Sequence, residues 1–264
     1  MASDFLELIA QHKRENLKAK AAYYANLQKN TRPVMPNRRY EVFKKAISRP
    51  GQVNLIAEIK KASPSVGLIR EDFNVSKIAK AYVDNKAAAL SVLTEEKYFL
   101  GGFPYLKKVN DEFNLPTLMK DFIIHEHQIY EGAFYGASAV LLIVAMLSDA
   151  QLQELTEVAY MFGLDCLVEV HDEDEIERAL NADAEIIGVN NRNLKTLKVD
   201  MDNCLRMMKR IPAGKIVVAE SGLKTHDDIK RVQDAGAHAV LIGETFMRSQ
   251  DIGAKVREVM VGAG

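Results

Sequence analysis

The chain has 264 residues with 35 lysines and arginines against 36 aspartates and glutamates, and its formal charge of −1 excludes bulk attraction to nucleic acid or membrane surfaces. Two cysteines are too few for a disulfide framework or a thiolate metal cluster, which is typical of a reducing cytosol. The sequence shows neither a signal-peptide pattern nor an apolar stretch near the roughly 18 residues of a membrane span. We therefore expect a cytoplasmic protein that binds any anionic ligand at a local site.

The first 47 residues carry apolar side chains at helical spacing, separate from the pattern that follows. The recurring residues are Phe5, Leu6, Leu8 and Ile9, then Leu17, Ala21, Tyr24 and Ala25, and finally Tyr40, Phe43 and Ile47. This spacing predicts a helical N-terminal extension over residues 1–47. It leaves open whether the extension caps the bottom of the following domain or lies over its functional site.

From Val53 onward, short apolar runs alternate with amphipathic stretches. The runs predict strands near 53–60, 88–94, 116–120, 138–144, 165–170, 185–190, 215–220 and 238–243. The amphipathic stretches predict helices near 74–85, 103–113, 126–135, 148–162, 172–181, 201–210, 225–235 and 251–261. Ser148, Asp172 and Thr225 stand where N-caps are expected for three of these helices. The runs are continuously apolar, which is typical of parallel strands covered on both faces.

Eight strands alternating with eight helices fit a closed (β/α)8 barrel, whose usual size is about 250 residues. We therefore predict an α/β fold, a single (β/α)8 TIM barrel domain over residues 1–264 with 1–47 as its helical extension. A doubly wound open sheet is the alternative. Its dinucleotide motif G-x-G-x-x-G and the phosphate-binding loop G-x-x-x-x-G-K-[ST] are both absent from the sequence.

Ionisable side chains stand at or just past the ends of several apolar runs. Glu58 and Lys60 are two positions apart on the first strand and so point to the same side. Lys120 ends the third strand, Glu169 lies in the fifth and Glu220 ends the seventh. Because burying charges without partners is costly, their recurrence at equivalent strand ends predicts a site at one mouth of the barrel. A structural ion pair is the alternative for the first two, and a side chain reaching solvent is the alternative for Lys120.

Burial at a strand end makes the proton of Lys120 easier to give up, while the adjacent carboxylate of Asp121 opposes that change. The lysine is therefore a candidate general acid or imine-forming amine. His125 and His127 lack a matching cluster of further ligands, so no metal site is predicted.

Polar groups after the last three strands suggest anion binding. Arg192 is able to hold a carboxylate in a bidentate fork, with Asn190 adding directional hydrogen bonds. The pairs Ser221-Gly222 and Gly243-Glu244 follow strands seven and eight, where barrels commonly bind phosphate. Glycine lets backbone amides approach such a ligand closely.

Several motifs resemble, in order and over nearly the whole chain, the indole-3-glycerol-phosphate synthase family of tryptophan biosynthesis. They are Ile56-Ala57-Glu58-Ile59-Lys60-Lys61-Ala62-Ser63-Pro64-Ser65, Leu90-Ser91-Val92-Leu93-Thr94, Leu118-Met119-Lys120-Asp121-Phe122-Ile123, Asn190-Asn191-Arg192-Asn193-Leu194 and Ala219-Glu220-Ser221-Gly222. The resemblance implies a carboxy-lyase that closes 1-(2-carboxyphenylamino)-1-deoxyribulose 5-phosphate into indole-3-glycerol phosphate, with loss of carbon dioxide and water. It also implies that no metal or organic cofactor is used, and it is compatible with association with other tryptophan-pathway enzymes.

The same resemblance implies roles for the strand-end charges. Lys120 is expected to be the general acid that protonates the ribulose carbonyl during ring closure. Glu58 and Lys60 would assist proton transfer in the dehydration, with Lys60 also near the phosphate. Glu169 is similar to a second acid or base, and Glu220 to a residue that orients or polarises the intermediate. How dehydration is divided among Glu58, Lys60 and Glu169 stays open.

A substrate-binding set is also implied by the resemblance. Its members are Ser63, Asn190 and Arg192 for the polar arm and benzoate carboxylate, Ser221, Gly222, Gly243 and the backbone amide of Glu244 for phosphate, and Phe99, Phe122, Leu141 and Leu194 for the anthranilate ring. Val66 and Gly102 depart from the family pattern, which puts loop mobility or phosphate affinity in question.

Two other functions are weighed against this one. A related phosphate-binding barrel such as phosphoribosylanthranilate isomerase would use an acid and base pair without the lysine-rich array. A non-catalytic barrel would bind a phosphorylated ligand or a partner protein. The four ionisable groups Glu58, Lys60, Lys120 and Glu169 argue against the second alternative, because binding alone does not need them at one mouth.

Overall fold

The computed structural model describes residues 2–32, 41–192 and 199–262. Eight parallel strands close into a barrel in chain order, and the last pairs with the first. They are β1 (Asn54–Ile59), β2 (Ala89–Leu93), β3 (Thr117–Lys120), β4 (Ala139–Ile143), β5 (Asp165–Val170), β6 (Ile186–Asn190), β7 (Ile216–Glu220) and β8 (Ala239–Ile242). Each lies within one residue of its predicted bounds, and the predicted (β/α)8 barrel is confirmed.

Helices follow the strands and also precede the first one. The three before the barrel are α1 (Ala2–Ala19), α2 (Ala21–Asn30) and α3 (Val42–Ile47). The rest are α4 (Val75–Asp84), α5 (Phe103–Glu112), α6 (Glu126–Phe134), α7 (Asp149–Met161), α8 (Glu173–Asn181), α9 (Met201–Met208), α10 (His226–Asp234), α11 (Glu244–Met247) and α12 (Ile252–Val261). Within the described ranges, none of these helices has the length and apolarity needed to cross a bilayer.

Three helix starts follow the chemistry expected from the sequence. Ser148 and Thr225 each accept a hydrogen bond from the third residue of their helix and form a capping box with it. Asp172 accepts from the amide of Glu175 at the start of α8. Three short elements were not predicted: a hairpin of Ala62–Ser63 with Gly67–Leu68, a 3-10 helix at Val144–Met146 and the one-turn helix α11. Such short segments are too brief to show a periodic pattern.

The strand side chains divide into an inner and an outer layer, which explains the continuous apolarity of the runs. Ile56 of β1 belongs to a buried cluster inside the barrel, together with Leu118, Leu167 and Val218. The alternate residues of the same strands, such as Ile59, pack in the larger cluster beneath the surrounding helices. Both faces of the sheet are therefore buried, as in other closed parallel barrels.

The N-terminal helices contact both ends of the barrel, so the two positions left open by the sequence are both occupied. Phe43 and Ile47 of α3 are fully buried in the inner cluster, and the amide of Lys44 donates to Asp165 at the start of β5 at 3.0 Å. Helix α3 thus closes the bottom. At the opposite end, Phe5 and Leu6 of α1 line the cavity at the mouth.

Candidate active site

The functional side chains lie in the layer directly above the inner cluster. Because strand side chains alternate, a residue two positions after an inward-facing one also points inward. Ile56 is followed in this way by Glu58, Leu118 by Lys120, Leu167 by Glu169, Val218 by Glu220 and Leu241 by Gly243. The barrel itself therefore gathers charges from β1, β3, β5 and β7 at one mouth.

Lys120 occupies the centre of this layer. Its Nζ donates to Oε2 of Glu169 and to Oε2 of Glu220, each at 2.9 Å. The exposed fractions of the three side chains are only 13%, 4% and 2%. Glu220 Oε1 is buried without a hydrogen-bond partner among the described residues. One ammonium thus contacts two carboxylates that have little contact with water, and the three groups carry a net charge of −1 when both carboxylates are ionised.

The proton affinities of the three groups follow from this geometry. Burial lowers the pKa of Lys120, but the negative charges of Glu169, Glu220 and Glu58 outweigh it and raise that pKa above its ordinary value. Burial raises the pKa of Glu220 to about 7, against the opposing effect of Lys120. Burial acts in the same direction on Glu169, yet the Lys120 and His171 charges hold its pKa well below the usual range.

These shifts correct one inference from the sequence. We expected burial to make the Lys120 proton easier to give up, with Asp121 as the opposing carboxylate. The net shift is upward instead, because Glu169 and Glu220 contact the ammonium directly. A lysine held protonated suits a general acid and disfavours an imine-forming amine, which needs the neutral form. Asp121 turns away to pair with Lys13 of α1 and accepts from Thr94 at 2.6 Å.

A second charge pair lies beside the first. Lys60 Nζ is 2.6 Å from Oε2 of Glu58, with the two side chains 16% and 5% exposed. Gly243, directly after β8, makes room for Glu58, since a Cβ there would collide with its carboxylate. Gly188 of β6 does the same for Glu220. Glycine at these two positions therefore lets the site carboxylates pack against the backbone, which is a different role from letting the backbone approach a ligand.

An apolar slot forms one side of the mouth. A cavity of about 350 Å³ is lined by Phe99, Phe122 and Leu141 together with the charged layer. The Phe99 and Phe122 rings lie 5.8 Å apart between centroids. Buried Glu95 accepts from the amide of Phe99 at 2.9 Å and so fixes the loop that carries this ring. The volume and apolar walls of the cavity are typical of a site for a small-molecule ligand with an apolar part.

The other side of the mouth is suited to an anion. A second cavity of about 710 Å³ adjoins the first and shares Lys60 and Arg192 with it. Ser221 and Gly222 line it after β7, both with left-handed backbone at φ 68° and 77°. Glu244 directs its carboxylate to Arg248, which donates at 2.9 Å, so only its backbone is suited to an anionic ligand.

Most of the other predicted binding residues also reach the mouth. Ser63 lies in the unpredicted hairpin and lines the apolar cavity. Asn190 lines it too, but its Nδ2 donates to Oε1 of Glu169 at 3.0 Å and its Oδ1 accepts from the amide of Arg192 at 3.0 Å. Asn190 thus orients a site carboxylate and the following residue. Leu194 lies outside the described residues.

Two contacts escaped the sequence analysis. His171 is not among the predicted site residues, yet its Nε2 lies 3.1 Å from Oε1 of Glu169. Lys13 of α1 reaches the strand end next to Lys120 through its pair with Asp121. Only the position of His171, two residues after Glu169 at a strand end, was a usable signal. Nothing in the sequence pointed to Lys13.

The histidine pair after β3 has a structural explanation. The His125 ring accepts from the amide of His127 and caps α6. Across the described part of the chain, no three histidine, cysteine, aspartate or glutamate side chains form a group suited to a metal ion.

Solved structures with similar architecture fix the class of fold. The chain matches a 3-hexulose-6-phosphate synthase with a TM-score of 0.64 at 16% identity, over 80% of this chain and 100% of the other. The enzyme of that name from Salmonella typhimurium matches with a TM-score of 0.65 at 13% identity, over 80% and 98% of the two chains. The fold and the charged mouth together define a (β/α)8 barrel with ionisable side chains gathered at one end.

Sequence comparison defines the family. The family model described as indole-3-glycerol phosphate synthase matches residues 6–259. The protein of that name from Acetivibrio thermocellus is 52% identical over 213 residues, 81% of this chain and 82% of the relative. That from Ruminiclostridium cellulolyticum is 46% identical over 245 residues, 93% of each chain. The chain belongs to the indole-3-glycerol phosphate synthase family.

Proposed function

We propose that the chain catalyses the decarboxylating and dehydrating closure of 1-(2-carboxyphenylamino)-1-deoxyribulose 5-phosphate to indole-3-glycerol phosphate, as a single barrel domain over residues 1–264. The observation that carries the proposal is the buried Lys120 ammonium shared by Glu169 and Glu220 beside an apolar slot. Ring closure develops negative charge on a ketone oxygen and positive charge on an arylamine. An ammonium flanked by carboxylates is complementary to both charges.

In the first step, the ring carbon that carries the carboxylate attacks the ketone carbon of the ribulose chain. We assign to Lys120 the proton that the developing alkoxide accepts, so that a hydroxyl remains on the new five-membered ring. Loss of carbon dioxide then returns an electron pair to the ring and restores its aromaticity. Glu220, next to Lys120, stabilises the positively charged nitrogen in the same layer.

Dehydration removes that hydroxyl and a proton from the neighbouring methylene carbon, which forms the second double bond of the pyrrole ring. One acid must protonate the departing hydroxyl and one base must accept the carbon-bound proton. Glu58 paired with Lys60, and Glu169 paired with Lys120, supply these two functions. We propose that Glu169 is the base, because Lys120 and Asn190 hold its carboxylate in one orientation at the wall of the cavity.

Binding of the substrate divides along the two cavities. The anthranilate ring is proposed to lie in the slot of Phe99, Phe122 and Leu141, with Leu194 as a further predicted contact. Ser63, Asn190 and Arg192 would contact the polar arm and the benzoate carboxylate. The phosphate is assigned to the opposite side, where Ser221, Gly222, Gly243 and the Glu244 backbone are exposed to the second cavity.

The alternative of a phosphoribosylanthranilate isomerase is less well supported by this geometry. That reaction calls for an acid and a base around one sugar, whereas this mouth carries two separate lysine–glutamate groups and a broad apolar slot. The match of the family model over residues 6–259 also favours the synthase.

The direct test is to supply the carboxyphenylamino-deoxyribulose phosphate in the presence of EDTA and to follow indole fluorescence. We expect indole-3-glycerol phosphate to accumulate, together with one equivalent of carbon dioxide. Well-folded protein that forms no indole product would sink the proposal, and formation of this same substrate from phosphoribosylanthranilate would support the isomerase instead.

The finer expectations drawn from the family, a cytoplasmic location and association with other tryptophan-pathway enzymes, stay predictions. Fractionation of cells and co-purification of the tagged chain with those enzymes would test them.

A further inference from the structure

His171 directly follows β5, and its imidazole lies between two carboxylates at the edge of the site. Nε2 is 3.1 Å from Oε1 of Glu169, and Nδ1 is 3.1 Å from Oε2 of Glu175 in the first turn of α8. The side chain is 11% exposed. The reaction steps above make no use of this ring, although it touches the oxygen of Glu169 that Lys120 leaves free.

We propose that His171, held in place by Glu175, is a positioning residue that fixes Glu169 as an ionised proton acceptor beside Lys120. The inference rests on the proposed ring closure and extends it to a residue outside the cavity. Among the described residues that line that cavity, His171 does not occur. It is therefore expected to act through Glu169 and not on the substrate.

Contacts on both oxygens support this role for Glu169. Lys120 donates to Oε2, and Nδ2 of Asn190 donates to Oε1 at 3.0 Å. The His171 ring adds a close charge contact on Oε1, although its alignment falls short of a hydrogen bond. A carboxylate held at both oxygens keeps one orientation toward the cavity, as proton transfer requires.

Glu175 in turn fixes the histidine. Its Oε2 accepts from the backbone amide of His171 at 2.7 Å and lies within 3.1 Å of the ring Nδ1. Asp172 binds the amide of Glu175 at 2.9 Å, which anchors this carboxylate to the start of α8. Hydrogen bonds and one close charge contact therefore connect the start of α8 to Lys120 through Glu175, His171 and Glu169.

The charges around Glu169 come from several elements. Lys120 of β3 and His171 act on Glu169 with positive charge, whereas Glu220 of β7, which itself interacts with Glu58 of β1, adds negative charge. Burial lowers the pKa of His171, but Glu169 and Glu175 raise it to about 10, so the ring stays cationic at neutral pH. Without this cation, Glu169 and Glu220 would retain a shared proton to higher pH.

The test uses His171→Gln and Glu175→Gln, with Glu177→Gln on the exposed face of α8 as the matched control. We expect His171→Gln to move the acid limb of the kcat profile upward by about 1 pH unit, because an opposite charge beside the carboxylates is lost. Glu175→Gln is expected to leave the acid limb at the parent position or slightly below it, because Glu169 still keeps the ring protonated there while one negative charge is removed. Glu177→Gln is expected to cause no shift. A uniform loss of kcat at every pH in both variants would mean a structural role only and would overturn the proposal.

Nitrogen-15 NMR of labelled histidine provides a second readout that needs no substrate. In the parent protein the His171 ring should stay doubly protonated at pH 8, and Glu175→Gln should lower its titration midpoint. A ring that titrates near its ordinary pKa in the parent would overturn the proposal, even if His171→Gln failed to fold. Absence of indole from the parent protein would refute the proposed reaction alone, since this titration would still report the contact with Glu169.

Discussion

The barrel places one lysine between two glutamates at each of its ends, and the two groups differ chiefly in access to water. At the bottom, Lys44 Nζ lies 2.9 Å from Oε2 of Glu185 and 3.1 Å from Oε1 of Glu41. These side chains are between 27% and 32% exposed. They connect α3 to the start of β6, and partly exposed pairs of this kind contribute about 0–1 kcal/mol to stability.

At the mouth, Lys120 and its partners Glu169 and Glu220 repeat the same pattern with almost no solvent. Taking several charges out of water costs more than their attraction returns in many proteins, so stability does not explain the group. It opens on a cavity and carries strongly shifted proton affinities. The two groups have similar contacts, but the partly exposed one around Lys44 stabilises the fold, whereas the buried one around Lys120 has shifted pKa values suited to catalysis.

The largest effect on kcat is expected when the ammonium at the centre of the buried group is removed. Lys120→Met should lower kcat by about 10³-fold, because no ammonium remains to protonate the ketone oxygen. Lys44→Met, the same change at the bottom, should leave kcat within about twofold and cost about 1 kcal/mol of stability or less. Indole fluorescence gives the rates, and circular dichroism checks the fold. Near-normal turnover by Lys120→Met would refute the general-acid assignment.

Glu220→Gln should separate activity from stability. The pKa of Glu220 is raised from 4.5 to about 7 in the folded protein, so the folded state favours the protonated acid. The stability that this preference contributes is fully present below the unfolded pKa and is lost as the pH rises through 7. Because glutamine mimics the protonated acid, the variant should gain Tm at pH 8 more than at pH 5, while kcat falls by about 10²-fold.

Glu185→Gln at the bottom is the control for that variant. It removes a partly exposed partner of Lys44 and should lower Tm slightly at both pH values, with kcat unchanged. Thermal unfolding monitored by circular dichroism gives these values. A loss of Tm at pH 8 in Glu220→Gln would contradict the idea that ionised Glu220 is costly.

Gly243→Val should raise KM by about 10-fold, because a side chain there blocks close approach of the backbone to the phosphate. We also expect kcat to fall in this variant, because the new Cβ would displace the carboxylate of Glu58. Gly102→Ala is the control, with only Pro104 at an ordinary contact distance of 3.4 Å. An unchanged KM in Gly243→Val would count against the phosphate assignment.

The smallest effect is expected on KM, when a residue of α1 that lines the mouth is shortened. Phe5→Ala removes an apolar wall that α1 contributes to the cavity and should raise KM by about threefold, or about 0.6 kcal/mol. Leu8→Ala, on the same helix but 49% exposed, should leave KM unchanged. Equal KM values in the two variants would show that α1 does not contact the substrate.

Much of this organisation was predictable because it depends on local alternation. Each strand lies within one residue of its expected bounds, and Glu58, Lys120, Glu169 and Glu220 all follow an inward-facing residue by two positions. The choice of partners was not predictable. It depends on the closure of distant strands around the barrel, which places β3 across from β5 and β7.

The sequence also did not predict which surfaces of the barrel the N-terminal helices cover. Apolar spacing predicts that a helix has a buried face but does not say which surface covers it. Phe5 and Phe43 belong to the same predicted extension, yet they lie at opposite ends of the barrel. Their positions are fixed by packing against the finished barrel, as is the pairing of Lys13 with Asp121.

The central claim is that the buried charges at the mouth serve catalysis at a cost in stability. The combined variant Lys120→Met, Glu169→Gln, Glu220→Gln removes all three charges while keeping side-chain volumes similar. Urea unfolding at pH 8 should show a free energy of unfolding about 1 kcal/mol or more above the parent, with no detectable indole formation. A combined variant that is less stable than the parent, or that still closes the ring, would contradict the account.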